Sequence, residues 1–285
     1  MSNFSLINNT TSSGAQYRVS ATNSALNQTI QRLSSGLRIN KSGDDAAGLA
    51  VANGYRSDAS VLSQGIRNAN DGISTLQIVD GGLNTISNLL DRASTLAAQS
   101  ASSTFSGNRA TLSAELTSVV GEIDRQAQNI GLATISLTNT DAQTARFAKQ
   151  IDTYVGGGAQ ASSTGNVVSV DLTGSEADST GLGIGALDIS TEALAKTAIA
   201  TIRTAVQSLG DIQGTVGAGQ NNLTQAIDLA STQVVNYKSA ESSIRDADVA
   251  TEASNLARLS TLQQAGIAAL AQANQSGNAV LSLLR

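Results

Sequence analysis

The feature that most constrains this chain is the spacing of its apolar residues. They recur at alternating intervals of three and four through long tracts that no proline interrupts. Such spacing gathers the apolar side chains on one stripe of a helix, and without proline no helix interior carries an obligatory break. In the first tract Val19, Leu26, Ile30, Leu33 and Leu37 keep one heptad register, with polar Asn23 in a seam position. The second runs through Leu62, Ile66, Ala69, Ile73, Leu76, Val79, Leu83, Ile86, Leu90, Ala93 and Leu96. Its one lapse, Leu76 to Val79, shifts the seam as a local unwinding of a supercoil would. A helix from Ser57 to Ser100 would be about 66 Å long at ~1.5 Å per residue. That length fits a rod better than a compact domain.

The pattern continues after a turn at Ala101–Asn108, a run of residues that bond their own backbone. A shorter helix carries Leu112, Leu116, Val119, Ile123 and Ile130. From Gly131 the period changes. Thr134–Leu137 and Val167–Leu172 bunch β-branched residues among Gly and Ser/Thr clusters, which predicts short strands and hairpins within about 131–188. Helical spacing returns near Thr191 and passes through Ile202, Val206, Leu209, Ile212, Val216, Leu223, Ile227, Ala230, Val234 and Tyr237. The last tract places Leu256, Leu259, Leu270, Val280 and Leu284 on one face, widened by Leu262, Ile267 and Leu281. The predicted fold class is mainly α, a coiled-coil rod of N- and C-terminal tracts with a small β-hairpin region in the middle.

Charge adds what spacing cannot. Only 14% of residues are charged, against roughly 25% in an ordinary soluble domain. The deficit is local: no charge precedes Arg18, and none lies between Arg258 and Arg285. An isolated helix with apolar residues on one side and only Gln, Ser, Asn and Ala on the other tends to associate. The ends are therefore expected to pack together and against copies of themselves. Between Lys149 and Lys196 lie six acids and no base, Asp152, Asp171, Glu176, Asp178, Asp188 and Glu192, so the middle is expected to face water.

The chain has no Cys, no His and no Trp. That excludes a disulfide framework, a thiol nucleophile, a Ser-His-Asp triad and the usual zinc, haem and iron–sulfur ligand sets. Phosphate loops and nucleophile elbows are also missing. An enzyme reading is unmotivated and no cofactor is expected. The net charge of −5 gives no basic surface for nucleic acid. No stretch approaches the ~18 apolar residues of a membrane span, and the Asn/Ser/Thr-rich start does not read as a cleaved secretory signal. Asp44-Asp45 lacks the ligand spacing of a calcium loop. Ser42 with Asp45, and Ser243 with Asp246, read instead as helix-capping boxes.

Two groups of motifs resemble a known family. Near the start stand Leu33-Ser-Ser-Gly-Leu-Arg-Ile-Asn40 and Lys41-Ser-Gly-Asp-Asp-Ala-Ala-Gly-Leu49. Near the end stand Ser243-Ile-Arg-Asp-Ala-Asp-Val-Ala-Thr-Glu252, Leu262-Gln-Gln-Ala-Gly-Ile267, Leu270-Ala-Gln-Ala-Asn-Gln275 and Val280-Leu-Ser-Leu-Leu-Arg285. Together they resemble the terminal signatures of bacterial flagellins, collinearly, over roughly Phe4–Ile130 and Leu187–Arg285. The resemblance implies a self-assembling subunit of the helical flagellar filament, in a short form without large outer domains. Residues 1–43 with 247–285 would form a coiled-coil inner-tube domain. Residues 44–246 would form a helical rod domain that includes the hairpin.

The subunit-packing residues would be Val19, Leu26, Ile30, Leu33, Leu37, Leu256, Leu259, Ile267, Leu270, Val280, Leu281 and Leu284. Implied partners are other copies of the chain, the flagellar export apparatus and export chaperone, the filament cap protein and the hook-junction proteins. The implied location is the extracellular filament, reached without a cleaved signal. Two alternatives are a flagellin-like hook–filament junction protein and, from a different class, a secreted coiled-coil adhesin; no aromatic patch favours the latter.

By the same resemblance, Arg92, Leu96, Gln99 and Glu115 occupy positions of contact with an innate-immune Toll-like receptor. Ser94 and Thr95 depart from the Arg and Glu usual there. The plainer reading makes Arg92 and Glu115 surface charges of neighbouring helices and Leu96 core. The Ser/Thr clusters at Ala159–Gly165 and Thr173–Gly181 read as solvated loops, with O-glycosylation as the alternative.

Overall fold

The computed structural model describes residues 9–105, 107–133, 147, 149–156 and 164–283, with side chains in the last helix described as far as Gln275. Among these residues the chain forms α1 (Thr10–Ser35), α2 (Ala46–Ser100), α3 (Arg109–Asn129), β1 (Gln150–Tyr154), β2 (Val167–Asp171), α4 (Glu192–Arg245) and α5 (Val249–Leu283). The mainly α class with a small hairpin is thus the observed one. Two compact units divide the chain, a terminal one of Met1–Ser57 with Asn236–Arg285 and a central one of Asp58–Val235.

In the central unit the heptad stripes become the core. The lapse between Leu76 and Val79 is kept, since both are fully buried and the seam continues through Leu83, Ile86 and Leu90. On α4 the buried positions run Ala198, Ile202, Ala205, Leu209, Ile212, Val216, Gly219 and Leu223. Val206, expected in the seam from its spacing, is exposed, and small Ala205 takes its place. Register decides this, because steps of three and four must alternate to stay on one face. One end of the core packs Ala93, Leu96 and Ala97 of α2 with Leu116 of α3, Ile189, and Ala198 and Ile202 of α4. The turn after α2 is fixed by Arg109, which donates to the carbonyls of Ser100 (3.1 Å) and Ser102 (2.9 Å) and lies over the Phe105 ring.

The hairpin pairs β1 antiparallel to β2, with Ile151 opposite Val170 and Thr153 opposite Val168. The expectation of a strand at Val167–Leu172 holds for Val167–Asp171. β1, whose signal is the alternation of Ile151, Thr153 and Val155, is not among the strands expected from the sequence; the strand expected at Thr134–Leu137 lies outside the described residues. Thr153, Val155, Val170 and Leu172 are buried on the side facing the helices. Glycines let the hairpin come close: a Cβ on Gly65 would stand 2.3 Å from the Val155 carbonyl oxygen, and one on Gly219 would stand 2.7 Å from Val170.

The acidic middle is less uniformly solvated than its composition suggests. Asp178 is buried and accepts from the Gly181 amide at 2.8 Å. Asp124 of α3 holds the following loop by accepting from the Ser179 amide (2.6 Å) and hydroxyl (3.0 Å).

Candidate functional site

The terminal unit is built on α1 and α5, which run antiparallel. Asn9 donates to the Ala273 carbonyl (3.0 Å), Ser12 to Asn274 (2.7 Å), and Gln263 to Asn23 (2.7 Å), while Arg32 pairs with Glu252 at 3.4 Å. From the Asn9 end to the Arg32 end of α1 the partners on α5 run from Ala273 and Asn274 back to Glu252, as an antiparallel register requires. Val19 packs where α5 offers Gly266, whose absent side chain leaves it room. Asn23, read as a polar seam position, finds its partner in Gln263; a hydrogen-bonded polar pair in an apolar seam penalises slipped registers, which leave it unsatisfied. Leu26, Leu33, Leu256, Leu259 and Leu270 are half-buried in the α1–α5 pair, as is Val19.

Leu37 departs from the expected register. Gly36, with φ 70°, adopts the left-handed conformation and ends α1 by donating its amide to the Arg32 carbonyl. Leu37 therefore lies beyond the helix, in an isolated bridge with Asp246. The corner is tied across the chain: the Arg38 amide donates to Arg245 O (2.7 Å), and the Ala247 amide donates to Gly36 O (2.9 Å). Its acids act as caps, though not the boxes expected. Asp45, rather than Ser42, precedes α2 and accepts from the Gly48 amide at 2.8 Å. Asp248 caps α5 through the Ala250 and Thr251 amides and the Thr251 hydroxyl, whereas Ser243 lies inside α4. The reason is distance along the chain: the accepting side chain must stand directly before the first helical turn.

Hydrogen-bond donors hold Asp44 and Asp248 below their ordinary pKa. Asp44 is lowered chiefly by the Lys41 and Asn40 amides, and Asp248 by the Thr251 hydroxyl and amide. A depressed acid contributes stability that is present above its unfolded pKa and lost as pH falls through its folded one. The α1–α2 corner and the start of α5 are therefore expected to loosen below about pH 4, seen as faster amide exchange at residues 40–48 and 249–252. Asp248→Ala is expected to lower the urea-denaturation midpoint, since α5 loses its cap, and to remove the acid-dependent change at α5.

What the pair leaves uncovered defines the candidate packing surface. Ile267 is 54% exposed and Leu262 50%, on α5; Ile30 is 46% and Tyr17 78% exposed, on α1. Of the expected packing residues, Ile30 and Ile267 thus face away from the α1–α5 seam, and the side chains of Val280, Leu281 and Leu284 lie outside the described residues. No group of three or more potential metal-ligating acids occurs among the described residues, and no described helix is long and apolar enough to cross a membrane. Charge divides sharply between the units. The terminal one carries nine bases and six acids, net +3, and the central one eight bases and sixteen acids, net −8.

The residues singled out for receptor contact lie in the central unit. The Arg92 Nε donates to Glu115 Oε1 at 3.1 Å in an exposed ion pair between α2 and α3. Gln99 is exposed on α2. Leu96 is 1% exposed, within the core cluster.

Residues 7–140 match the family model of the bacterial flagellin N-terminal helical region, and residues 199–284 that of the bacterial flagellin C-terminal helical region. A flagellin of Halalkalibacterium halodurans is 35% identical over 257 residues, covering 90% of this chain and 90% of that protein. The flagellar filament 33 kDa core protein of Treponema phagedenis is 32% identical over 280 residues, covering 95% and 96%. A flagellin of Serratia marcescens is 34% identical over 341 aligned residues, covering 95% and 96%.

Proposed function

The chain belongs to the bacterial flagellin family, and from that premise we propose that its α1–α5 pair supplies the surface on which successive subunits stack. It is a structural subunit of the flagellar filament and not an enzyme. The observation that carries the packing proposal is the exposed apolar flank of Ile30, Leu262 and Ile267 on helices almost without charge. Burying such residues contributes about 1.5–3 kcal/mol each, and no ion has to be desolvated to do it. Val19, Leu26, Leu33, Leu256, Leu259 and Leu270 hold the pair together, so that the flank is presented in one register. Leu37 supports the corner that joins them, while Val280, Leu281 and Leu284 enter the proposal from the sequence pattern alone. Stacking of one patch on a different patch of the next copy does not close, and yields an open helical polymer.

The working division is residues 1–43 with 247–285 as the inner-tube domain and 44–246 as the helical rod domain. The net −8 of the central unit suits a solvent-facing wall. Partners beyond the chain itself are the export apparatus and its chaperone, the filament cap protein and the hook-junction proteins, with export to the cell exterior that leaves the N-terminus in place. The test is electron microscopy of purified protein added to filament seeds. Long helical filaments are expected; growth limited to a single ring would favour a hook–filament junction protein instead.

For the receptor patch, Arg92, Gln99 and Glu115 are the accessible groups and Leu96 acts only by shaping the helix. Ser94 and Thr95 remove two charges from the surface the resemblance implies. Hot-spot losses of ~1 kcal/mol each predict potency about 30-fold below that of a flagellin with Arg and Glu there. A Toll-like-receptor reporter-cell assay on monomer measures this, and full potency would overturn it.

A further inference from the structure

The chain has four tyrosines, Tyr17, Tyr55, Tyr154 and Tyr237, and neither Cys, His nor Trp. Tyrosine is therefore its main target for one-electron oxidation beyond Met1. Among the described residues one pair of aromatic rings is in contact. Tyr55 of α2 and Tyr237 of α4 stack with centroids 5.7 Å apart and planes inclined by 20°. Both belong to the terminal unit and both are half-buried, which leaves an edge open to solvent. Tyr17 is 78% exposed and stands alone on α1, and Tyr154 lies half-buried in β1. The stack stabilises the pair of helices in the ordinary way. It also places two oxidisable rings in van der Waals contact although they are far apart in sequence.

We propose that Tyr55 and Tyr237 form an oxidative cross-linking site, at which a peroxidase-class oxidant with hydrogen peroxide joins α2 to α4 as a dityrosine. Each phenol gives up one electron and one proton to become a phenoxyl radical. The radicals carry spin at the carbons ortho to oxygen, and one C–C bond forms between an ortho carbon of each ring. The two hydrogens on those carbons then move to the oxygens, which restores both phenols. The pair loses two hydrogen atoms in all, and one peroxide takes them up as two waters. Coupling within the stack outruns coupling between molecules because the rings are already held together. The product is a covalent tie between residues 55 and 237, restricting the unfolded chain as a long-range disulfide would in a protein that has no cysteine to make one.

The test treats the dilute full-length chain with horseradish peroxidase and hydrogen peroxide. Dityrosine fluorescence, denaturing gel mobility and mass spectrometry of proteolytic peptides are then read. The expected result is a monomeric product, lighter by two hydrogens, whose cross-linked peptides contain Tyr55 and Tyr237, with a raised thermal midpoint. Tyr55→Phe keeps an aromatic ring in the stack and is expected to retain the helical circular dichroism of the parent while losing the intrachain product. Tyr17→Phe is expected to retain that product. Cross-links found only between chains through Tyr17, or an intrachain yield unchanged in Tyr55→Phe, would overturn the proposal.

Discussion

Ile267→Asp is expected to leave the monomer folded and to stop it polymerising. The residue is 54% exposed on α5 and lies outside the α1–α5 seam, so a polar side chain there costs the isolated subunit little. Exposed substitutions generally shift stability by less than about 0.5 kcal/mol. In the filament the same position would be buried against another copy, and an unpaired carboxylate buried at a seam costs about 3–5 kcal/mol. Every added subunit meets that cost, so the concentration needed for elongation rises more than about a hundredfold. Circular dichroism and thermal melting should match the parent, while sedimentation after seeding should find the variant in the supernatant. Asp228→Lys, at an exposed acid of the central unit, is the matched control and should elongate. Normal filaments from Ile267→Asp would show that this flank is not where subunits meet.

The second large effect is a reversal of sign between two glycines of the central unit. Gly210 sits exposed in α4 with nothing within 4 Å of an added Cβ. Gly210→Ala should stabilise by about 0.5–1 kcal/mol, the usual gain when alanine replaces glycine inside a helix. Gly65 occupies an equally helical site in α2, but its Cβ would stand 2.3 Å from the Val155 carbonyl oxygen and 2.7 Å from the carbonyl carbon. Those atoms are backbone, and moving them means displacing the hairpin whose face buries Thr153 and Val170. Gly65→Ala should therefore destabilise by about 2 kcal/mol, the overpacking cost less the helical gain. Urea denaturation of both variants measures the contrast. A stabilised Gly65→Ala would mean that the hairpin is not held against α2 at this point.

Much of the fold was legible because its information is local. Steps of three and four placed α2, α3 and α4 within a few residues of most of their observed ends, except that α2 begins at Ala46, well before Ser57, and α4 runs on past Tyr237 to Arg245. The stripe in that first stretch is weak, only Leu49, small Ala52 and Tyr55 leading into Ala59 and Leu62; what starts the helix is the cap at Asp45, a side-chain bond to one amide. The same kind of detail misled the reading of Ser42 and Ser243, since several Ser and Asp residues near a helix start could each serve. Asn23 was recognisable as a polar intruder in an apolar stripe, but nothing local named Gln263 as its partner. β1 was overlooked because its five residues include Gln, Asp and Thr, and a strand that short becomes persuasive only beside β2.

By itself, then, the sequence determined the helical class, the charge-poor ends, the absence of thiol and imidazole chemistry and the family. Each follows from composition or from a period carried by a single segment. The tertiary structure decided which part of each stripe is used within the subunit and which part is left over. An apolar stripe is wider than one partner can cover, and the rotation of each helix about its axis chooses the covered strip. That rotation buries Ala205 and leaves Val206 exposed, and it leaves Ile30, Leu262 and Ile267 facing outward. It depends on contacts such as Asn23 with Gln263 and Val19 with Gly266, between residues about 240 positions apart.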